Sequence, residues 1–194
     1  MIDAPVTLTG NRVRLEPLSE THVDGLRAAA AGNTEALWYT VAPSAEGIDE
    51  DIADRLAQRD RGTMNPFAIR RLEDDAIVGE TTFCNLQPEL PRTEIGYTWL
   101  APDARGTGVN AEAKLLLLAH AFETCGVIAV ELRTHFHNFA SRRAIERLGA
   151  KQDGVFRNHR FGPDGTLRDT VVYSILPHEW PTVRTGLRAR LGQL

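Results

Sequence analysis

Arg105-Gly106-Thr107-Gly108-Val109-Asn110-Ala111-Glu112-Ala113-Lys114 stands between a strand-like run, residues 93–100, and the most strongly helical segment of the chain, residues 111–125. A glycine-rich turn that opens a helix is an anion site. The first backbone N–H groups of a helix have no intrahelical partner, and the helix dipole concentrates partial positive charge there. Gly106 and Gly108 allow the backbone to bend and to approach a ligand closely. Arg105 adds a fixed charge suited to phosphate oxygens. The stretch reads as a phosphate or pyrophosphate cradle between a strand and a helix.

Working outward, the helix over residues 111–125 has an apolar stripe of Ala111, Leu115, Leu118, Ala119 and Phe122, widened by Leu116 and Leu117. Gly126 is its C-cap. Before the turn, residues 66–72, 76–86 and 93–100 read as three strands of an antiparallel meander, joined through Glu73-Asp74-Asp75 and broken by Pro88 to Pro91. Strand alternation in the third places Glu94, Gly96 and Thr98 opposite Ile95, Tyr97 and Trp99. Further upstream come a short strand (12–15) and two helices (21–31 and 48–61). The first is capped by Ser19 or Thr21, the second amphipathic through Ile48, Ile52 and Leu56. Downstream lie a strand (128–136), a helix (138–148) closed by Gly149, two strands around Pro163-Asp164-Gly165, and a terminal helix (179–194) with Pro181 in its first turn. The strand–helix–strand step from 93 to 136 requires a parallel pair inside an otherwise antiparallel sheet. The expected fold is α/β: a mixed, mostly antiparallel twisted sheet of about seven strands with helices on both faces. Residues 1–194 read as a single domain with 176–194 as a terminal helical extension.

Several ligand classes fall away. Gly106, Gly108 and Ala111 fit the spacing of the dinucleotide fingerprint, but residues 102–105 separate the first glycine from its strand and a meander precedes it. Glu131 lies in mid-strand, not at the strand end where a ribose would sit. No Walker, kinase or metalloprotease pattern can be written. A net charge of -4 and a pI near 5.9 give no pull toward nucleic acid or anionic membrane. Cys84 and Cys125 form no metal or disulfide spacing and read as free thiols of a reducing cytosol. No apolar run approaches membrane-spanning length, and the first residues carry no signal-peptide pattern. A cytoplasmic protein without metal is expected.

Arg105-Gly106-Thr107-Gly108-Val109-Asn110 resembles the acetyl-CoA signature [QR]-x-x-G-x-[GA] of the GNAT superfamily of N-acyltransferases, with Asn110 in place of the final Gly or Ala. The resemblance runs along nearly the whole chain. Residues 12–18 (Arg-Val-Arg-Leu-Glu-Pro-Leu) are similar to the opening strand of the branch that holds the ribosomal-protein N-terminal acetyltransferases of Rim type. Glu94-Ile95-Gly96-Tyr97 with Trp99-Leu100, residues 138–143 with Leu148-Gly149-Ala150, and residues 169–174 resemble later elements of the same branch.

The resemblance implies acetyl transfer from acetyl-CoA to a primary amine by direct attack in a ternary complex. The acceptor would be a protein N-terminus or a small molecule such as an aminoglycoside or polyamine, for which Glu46, Asp49, Glu50 and Asp51 could supply acidity. An acyl-CoA-binding module without catalysis is a third reading, kept alive by Asn110. Oligomeric state is left open, a homodimer included. The amides of Arg105, Gly106, Thr107, Gly108, Val109 and Asn110 would hold the CoA pyrophosphate, and Asn138 would touch the pantetheine arm or simply cap its helix. Ser141 shares a helix face with Ile145 and Leu148 and would protonate the departing thiolate, or else bond the backbone. An ammonium must lose its proton before it attacks. Glu94 is the first candidate for that base, with His159 and Asp169 behind it. A backbone N–H on the Glu94 strand would stabilise the carbonyl oxygen. Trp38, Tyr39 and Phe83 line the acceptor pocket or the core, and Trp180 packs the terminal helix.

Overall fold

The computed structural model describes residues 2–33, 38–39, 42–87, 89–162 and 164–194. Pro88 and Pro163, read above as chain breakers, lie outside the described residues. The elements in chain order are β1 (Leu8–Thr9), β2 (Val13–Pro17), a 3₁₀ turn (Glu20–His22), α1 (Val23–Ala31), α2 (Ile48–Asp60), β3 (Met64–Arg71), β4 (Ile77–Cys84), β5 (Arg92–Leu100), α3 (Val109–Ala119), β6 (Ala129–His135), α4 (Phe139–Glu146), β7 (Lys151–Phe161), β8 (Leu167–Ile175) and α5 (Trp180–Arg190). They form an eight-stranded sheet in the order β1-β2-β3-β4-β5-β6-β8-β7. One pair, β5 with β6, is parallel; the others are antiparallel. The parallel pair is the one joined by the α3 crossover, as the order of elements demands.

The extra strand is β1. Its two residues are too short to show a sequence period, and it exists because Leu8 and Thr9 pair with Leu15 and Arg14. The long helix also departs from the simple reading. It starts at Val109, and after Ala119 it widens into a π-helical turn over His120–Thr124 before Gly126, at φ 65°, ends it. At the first helix, Ser19 caps a 3₁₀ turn rather than α1 itself.

Helices cover both faces of the sheet. On one, α3, α4 and α5 bury Val109, Ala113, Leu117, Ile145, Val183 and Leu187 against Val13, Phe67, Phe83, Ile95, Val130 and Tyr173. On the other, α1 and α2 bury Leu26, Ile48 and Ile52 against Leu18, Ala68 and Trp99. Burial of such side chains contributes about 1.5–3 kcal/mol each before chain entropy is counted. Trp180 stacks on Phe122 with centroids 5.7 Å apart, which seats α5 on the crossover segment.

A β-bulge in β5 decides what each face of that strand presents. Thr82 pairs with Gly96 but Glu80 pairs with Trp99, so β5 carries one residue more than β4 over this stretch. Tyr97 absorbs it with a φ of 50°. Simple alternation therefore fails at this point. Ile95 and Leu100 face the α3 side, whereas Trp99 faces α1 and α2. Thr98 also turns to α3, where its hydroxyl accepts from Lys114 Nζ at 2.6 Å. Bulges shift one residue of register and so re-aim every side chain beyond them.

Candidate active site

Strands β5 and β6 pair only over Arg92–Ala129, Thr93–Val130 and Glu94–Glu131. Beyond Glu94 and Glu131 they diverge, and their facing edges carry no ladder hydrogen bonds to each other. A wedge thus opens in the middle of the sheet with Glu94 at its apex. An extended, amide-bearing arm laid into it would find the backbone groups that a neighbouring strand would otherwise use.

The glycine-rich turn follows the outer end of β5. Gly106 (φ 77°) and Gly108 (φ 93°) are both left-handed, and Gly108 is the residue before α3. The first helical bond there runs from Glu112 N to Gly108 O. The backbone N–H groups of residues 106–111 have no acceptor among the described residues. Arg105 differs from the others. Its own N–H donates to Pro102 O, its Nε donates to Leu100 O at 3.2 Å, and its Nη2 bonds Asn33 Oδ1. The free donors therefore begin at Gly106, and the Arg105 side chain ties the turn to the sheet and to the end of α1. Thr107 Oγ1 donates back to Ala104 O. Val109 is buried in the core, and Asn110 Oδ1 is buried without a hydrogen-bond partner.

Arg12 joins this site, and sequence reasoning missed it. Its Nε lies 3.7 Å from where a Cβ on Gly108 would stand. The placement originates in α3. Buried Glu112 accepts from the backbone N–H groups of Arg12 (2.5 Å) and Val13 (2.9 Å), which fixes the β1–β2 turn beside the helix start. A glutamate on an apolar helix face, a hundred residues from its partner, carries no local signal.

Glu94 points to the α1–α2 side and is largely buried. Asn85 Nδ2 donates to its Oε2 at 2.5 Å, and Arg133 Nε lies 3.4 Å from the same oxygen. Burial raises its pKa above the usual carboxylate range; Arg133 and the Asn85 bond oppose that rise, and the charge of Glu131 adds to it. A carboxylate held above its usual pKa is a stronger base than an exposed one, which suits it to accept a proton. The thiol of buried Cys84 is pushed well up by burial and by Glu94, which removes it as a nucleophile.

At the outer end of β6, Asn138 caps α4: its Oδ1 accepts from Ser141 N at 3.0 Å. Ser141 sits half-buried in the first turn of α4. A histidine and aromatic cluster lies beside it, with Trp38 5.2 Å from His135 and 5.6 Å from His137 between ring centroids. His135 Nδ1 accepts from His137 N, which puts the neutral imidazole's proton on Nε2. Burial, Arg168 and His137 lower the pKa of His135. The available signal for this cluster was the His-x-His at the end of a strand just before a capped helix. Phe83 is not a pocket residue: it is fully buried against Phe67. Asp169 is engaged by Asn158 N and by Arg157, and His159 Nδ1 lies 3.0 Å from Thr170 Oγ1. At the acidic start of α2, Asp49 is paired to Arg27 and Asp51 to Arg55, and Glu46 and Glu50 form no ion pair among the described residues.

An open, mixed sheet split at one parallel pair, with a donor-rich helix start at the split, defines a class of acyl-group transferases that bind acyl-CoA. The family description "Acetyltransferase (GNAT) domain" matches residues 12–151, and the chain belongs to that family. It is an N-acetyltransferase by family. Among relatives, it is 26% identical to a GCN5-related N-acetyltransferase from Brucella melitensis, over 96% of this chain and 85% of that one, with a TM-score of 0.86. RimJ of Mycobacterium smegmatis, in complex with CoA-disulfide, shares the fold at 21% identity and a TM-score of 0.81, over 98% of this chain and 97% of that one. A Bacillus subtilis (strain 168) protein called "Putative ribosomal N-acetyltransferase YdaF" is 30% identical over 123 residues. That match spans 63% of this chain and 66% of the relative, just under two thirds of its length. The likeness extends to the Rim-type branch. No helix among the described residues is long and apolar enough to cross a membrane.

Proposed function

We propose that the chain transfers the acetyl group of acetyl-CoA directly to a primary amine, and that the acceptor is a protein or peptide N-terminus. The observation that carries the reading is the split of β5 from β6 at Glu94, with the free N–H groups of residues 106–111 at its open end. The cofactor's diphosphate matches those donors in charge and geometry. Its amide-bearing arm matches the unpaired strand edges, with Asn138 at the rim. The thioester then reaches the apex beside Glu94. Residues 1–194 act as one acyltransferase domain on this reading, because Trp180, Val183, Leu187 and Leu191 at the C-terminal end share the core with β2 to β8.

Glu94 takes the proton from the acceptor ammonium, directly or through one water, and leaves a neutral amine to attack the carbonyl carbon. A backbone N–H on the wedge-facing edge of β5 donates to the carbonyl oxygen as it gains charge. The C–S bond breaks and the amide forms as the attacking nitrogen sheds its second proton, directly or through water, to Ser141, whose hydroxyl passes its own proton to the departing thiolate and so ends as a hydroxyl again. No covalent enzyme intermediate is needed.

The polycation alternative is disfavoured by charge. Arg133, Arg160 and Arg168 all act on His159, on the acceptor side of the sheet. An aminoglycoside or polyamine would meet them as like charges. The test is incubation of a lysate with labelled acetyl-CoA and the purified protein, read by mass spectrometry. Label on protein N-termini with stoichiometric release of free CoA thiol supports the reading. Label on a metabolite moves the acceptor, and tight CoA binding with no thiol release means a binding module.

A further inference from the structure

The β7–β8 hairpin carries an arginine pair that the transfer chemistry does not use. Arg160 and Arg168 are direct cross-strand partners and so project from the same face. Like charges placed opposite each other are unfavourable unless something compensates them. Among the described residues no carboxylate forms a hydrogen bond or ion pair with either guanidinium, and Glu94 acts on them only at longer range. Each nearby carboxylate is engaged elsewhere: Glu94 with Asn85 and Arg133, Glu131 with Arg92 and Arg133, Asp169 with Arg157 and Asn158 N, and Asp164 with Thr166. Arg168 Nε is buried and has no hydrogen-bond partner.

The pair is aimed by a built feature. Between Phe156 and Arg160, β7 carries two residues more than β8, since Phe156 pairs with Thr170 and Arg160 with Arg168. Asn158 absorbs the bulge at φ 48°. Asp169 locks it, accepting from Asn158 N at 2.8 Å and pairing with Arg157 at 2.5 Å. His159 then reaches Thr170, the partner of His135 on β6. The face so presented is that of Glu94. Glu94 feels Arg160, and Arg168 feels both Arg160 and Glu94. Arg168 is half-buried and binds its proton less tightly than usual through burial and Arg160, with Glu94 opposing the loss.

We propose that Arg160 and Arg168 form a carboxylate subsite of the acceptor cleft, so that the preferred acceptors are amines carrying a carboxylate near the reacting nitrogen. This rests on the acceptor chemistry proposed above. A paired guanidinium fork suits a carboxylate's two oxygens, and a substrate carboxylate would supply the partner that Arg168 Nε lacks. The carboxylate could belong to an acidic side chain close behind a peptide N-terminus or to a free amino acid, and the two sources are separable.

The experiment measures kcat/KM for C-terminally amidated Ser-Asp-Asp-Ala and Ser-Asn-Asn-Ala peptides and for free alanine and alanine amide. Equilibrium binding of the same acceptors in the presence of CoA is measured alongside. One charged, desolvated contact should favour the acidic member by about 10- to 100-fold. R168M and R160M should bring that ratio toward one, R168K should keep part of it, and R168E should reverse it toward a lysine-containing peptide. Preference within the peptide pair assigns the carboxylate to a side chain, and preference within the amino-acid pair to the free acid. Turnover of all acceptors with ratios near one in the wild type overturns the subsite and leaves the acetyltransferase reading intact. Selective binding of the acidic member without turnover supports the subsite and overturns the acetyl-transfer reading instead. A ratio that survives in R168M and R160M overturns it, whatever the rates.

Discussion

Replacing Arg133 with Met should move the acid limb of the pH–rate profile upward. Arg133 Nε lies 3.4 Å from Glu94 Oε2. At that separation the attraction between unit charges is roughly 1.2 kcal/mol in water and roughly 5 kcal/mol at an effective dielectric constant of 20. With about 1.4 kcal/mol per tenfold change in proton affinity, loss of the arginine should raise the Glu94 pKa and move the acid limb up by roughly 1–3.5 pH units. The lower end is expected, because Arg133 also serves Glu131 and is about a quarter exposed. The sign is fixed by chemistry. Glu94 must be ionised to accept the proton, and its folded pKa is already raised by burial. Raising it further shrinks the active fraction at low pH and leaves the alkaline plateau in place. The assay is kcat/KM for one peptide acceptor from pH 5 to 9, following thiol release, in the wild type and R133M. The acceptor's own titration is common to both and drops out of the comparison. E94Q should lose the limb and about 10²–10⁴-fold in rate. A limb that stays in place in R133M, or moves down, refutes Glu94 as the base.

Three further outcomes are expected. Gly108→Val forces a β-branched residue to φ 93° and sets its Cβ 3.5 Å from Leu191 Cδ2, so CoA affinity measured by calorimetry should fall by about tenfold or more; unchanged affinity would count against the cradle. Ser141→Ala should lower kcat more than KM with acetyl-CoA, by about tenfold, and the deficit should shrink with an acyl donor whose thiol is more acidic; equal deficits for both donors would remove the hydroxyl from the leaving-group step. Lys114 is fully buried between two threonine hydroxyls, and burial pulls its pKa from 10.5 to about 7. The unfolded chain then binds more protons than the folded one above pH 7, so this lysine makes stability rise with pH up to about 10.5. K114M should raise stability in denaturant melts by about 2–3 kcal/mol at pH 7, after loss of its two hydrogen bonds, and should lose that gain above pH 10.5, where only the loss of the two bonds remains. An equal effect at both pH values would mean that the lysine is not held neutral.

The glycine turn, the crossover and the parallel pair were legible because each has a local signature: left-handed residues, a sustained apolar stripe, and a strand–helix–strand order that allows one solution. Glu94 was legible as a strand glutamate. Its burial, its separation from Thr98, and the placement of Tyr97 on its own side of the sheet under Arg55 of α2 were not, because the bulge at Tyr97 depends on how β5 pairs with β4. The same holds for Arg160 and Arg168. Strict alternation along residues 155–161 cannot show that two extra residues turn His159 and Arg160 toward the cleft. Arg12 reaches the helix start only through Glu112. What escapes a linear reading is register, since each of these residues is re-aimed by a contact with a distant strand or helix.

The claim on which the others stand is that the start of α3 grips the coenzyme's diphosphate. A crystal structure of the wild-type protein with CoA tests it directly. The diphosphate is expected within hydrogen-bond distance of the N–H groups of residues 106–111, with the arm running between β5 and β6 to Glu94. A diphosphate bound anywhere else, or an arm that leaves the wedge between those strands empty, contradicts the account.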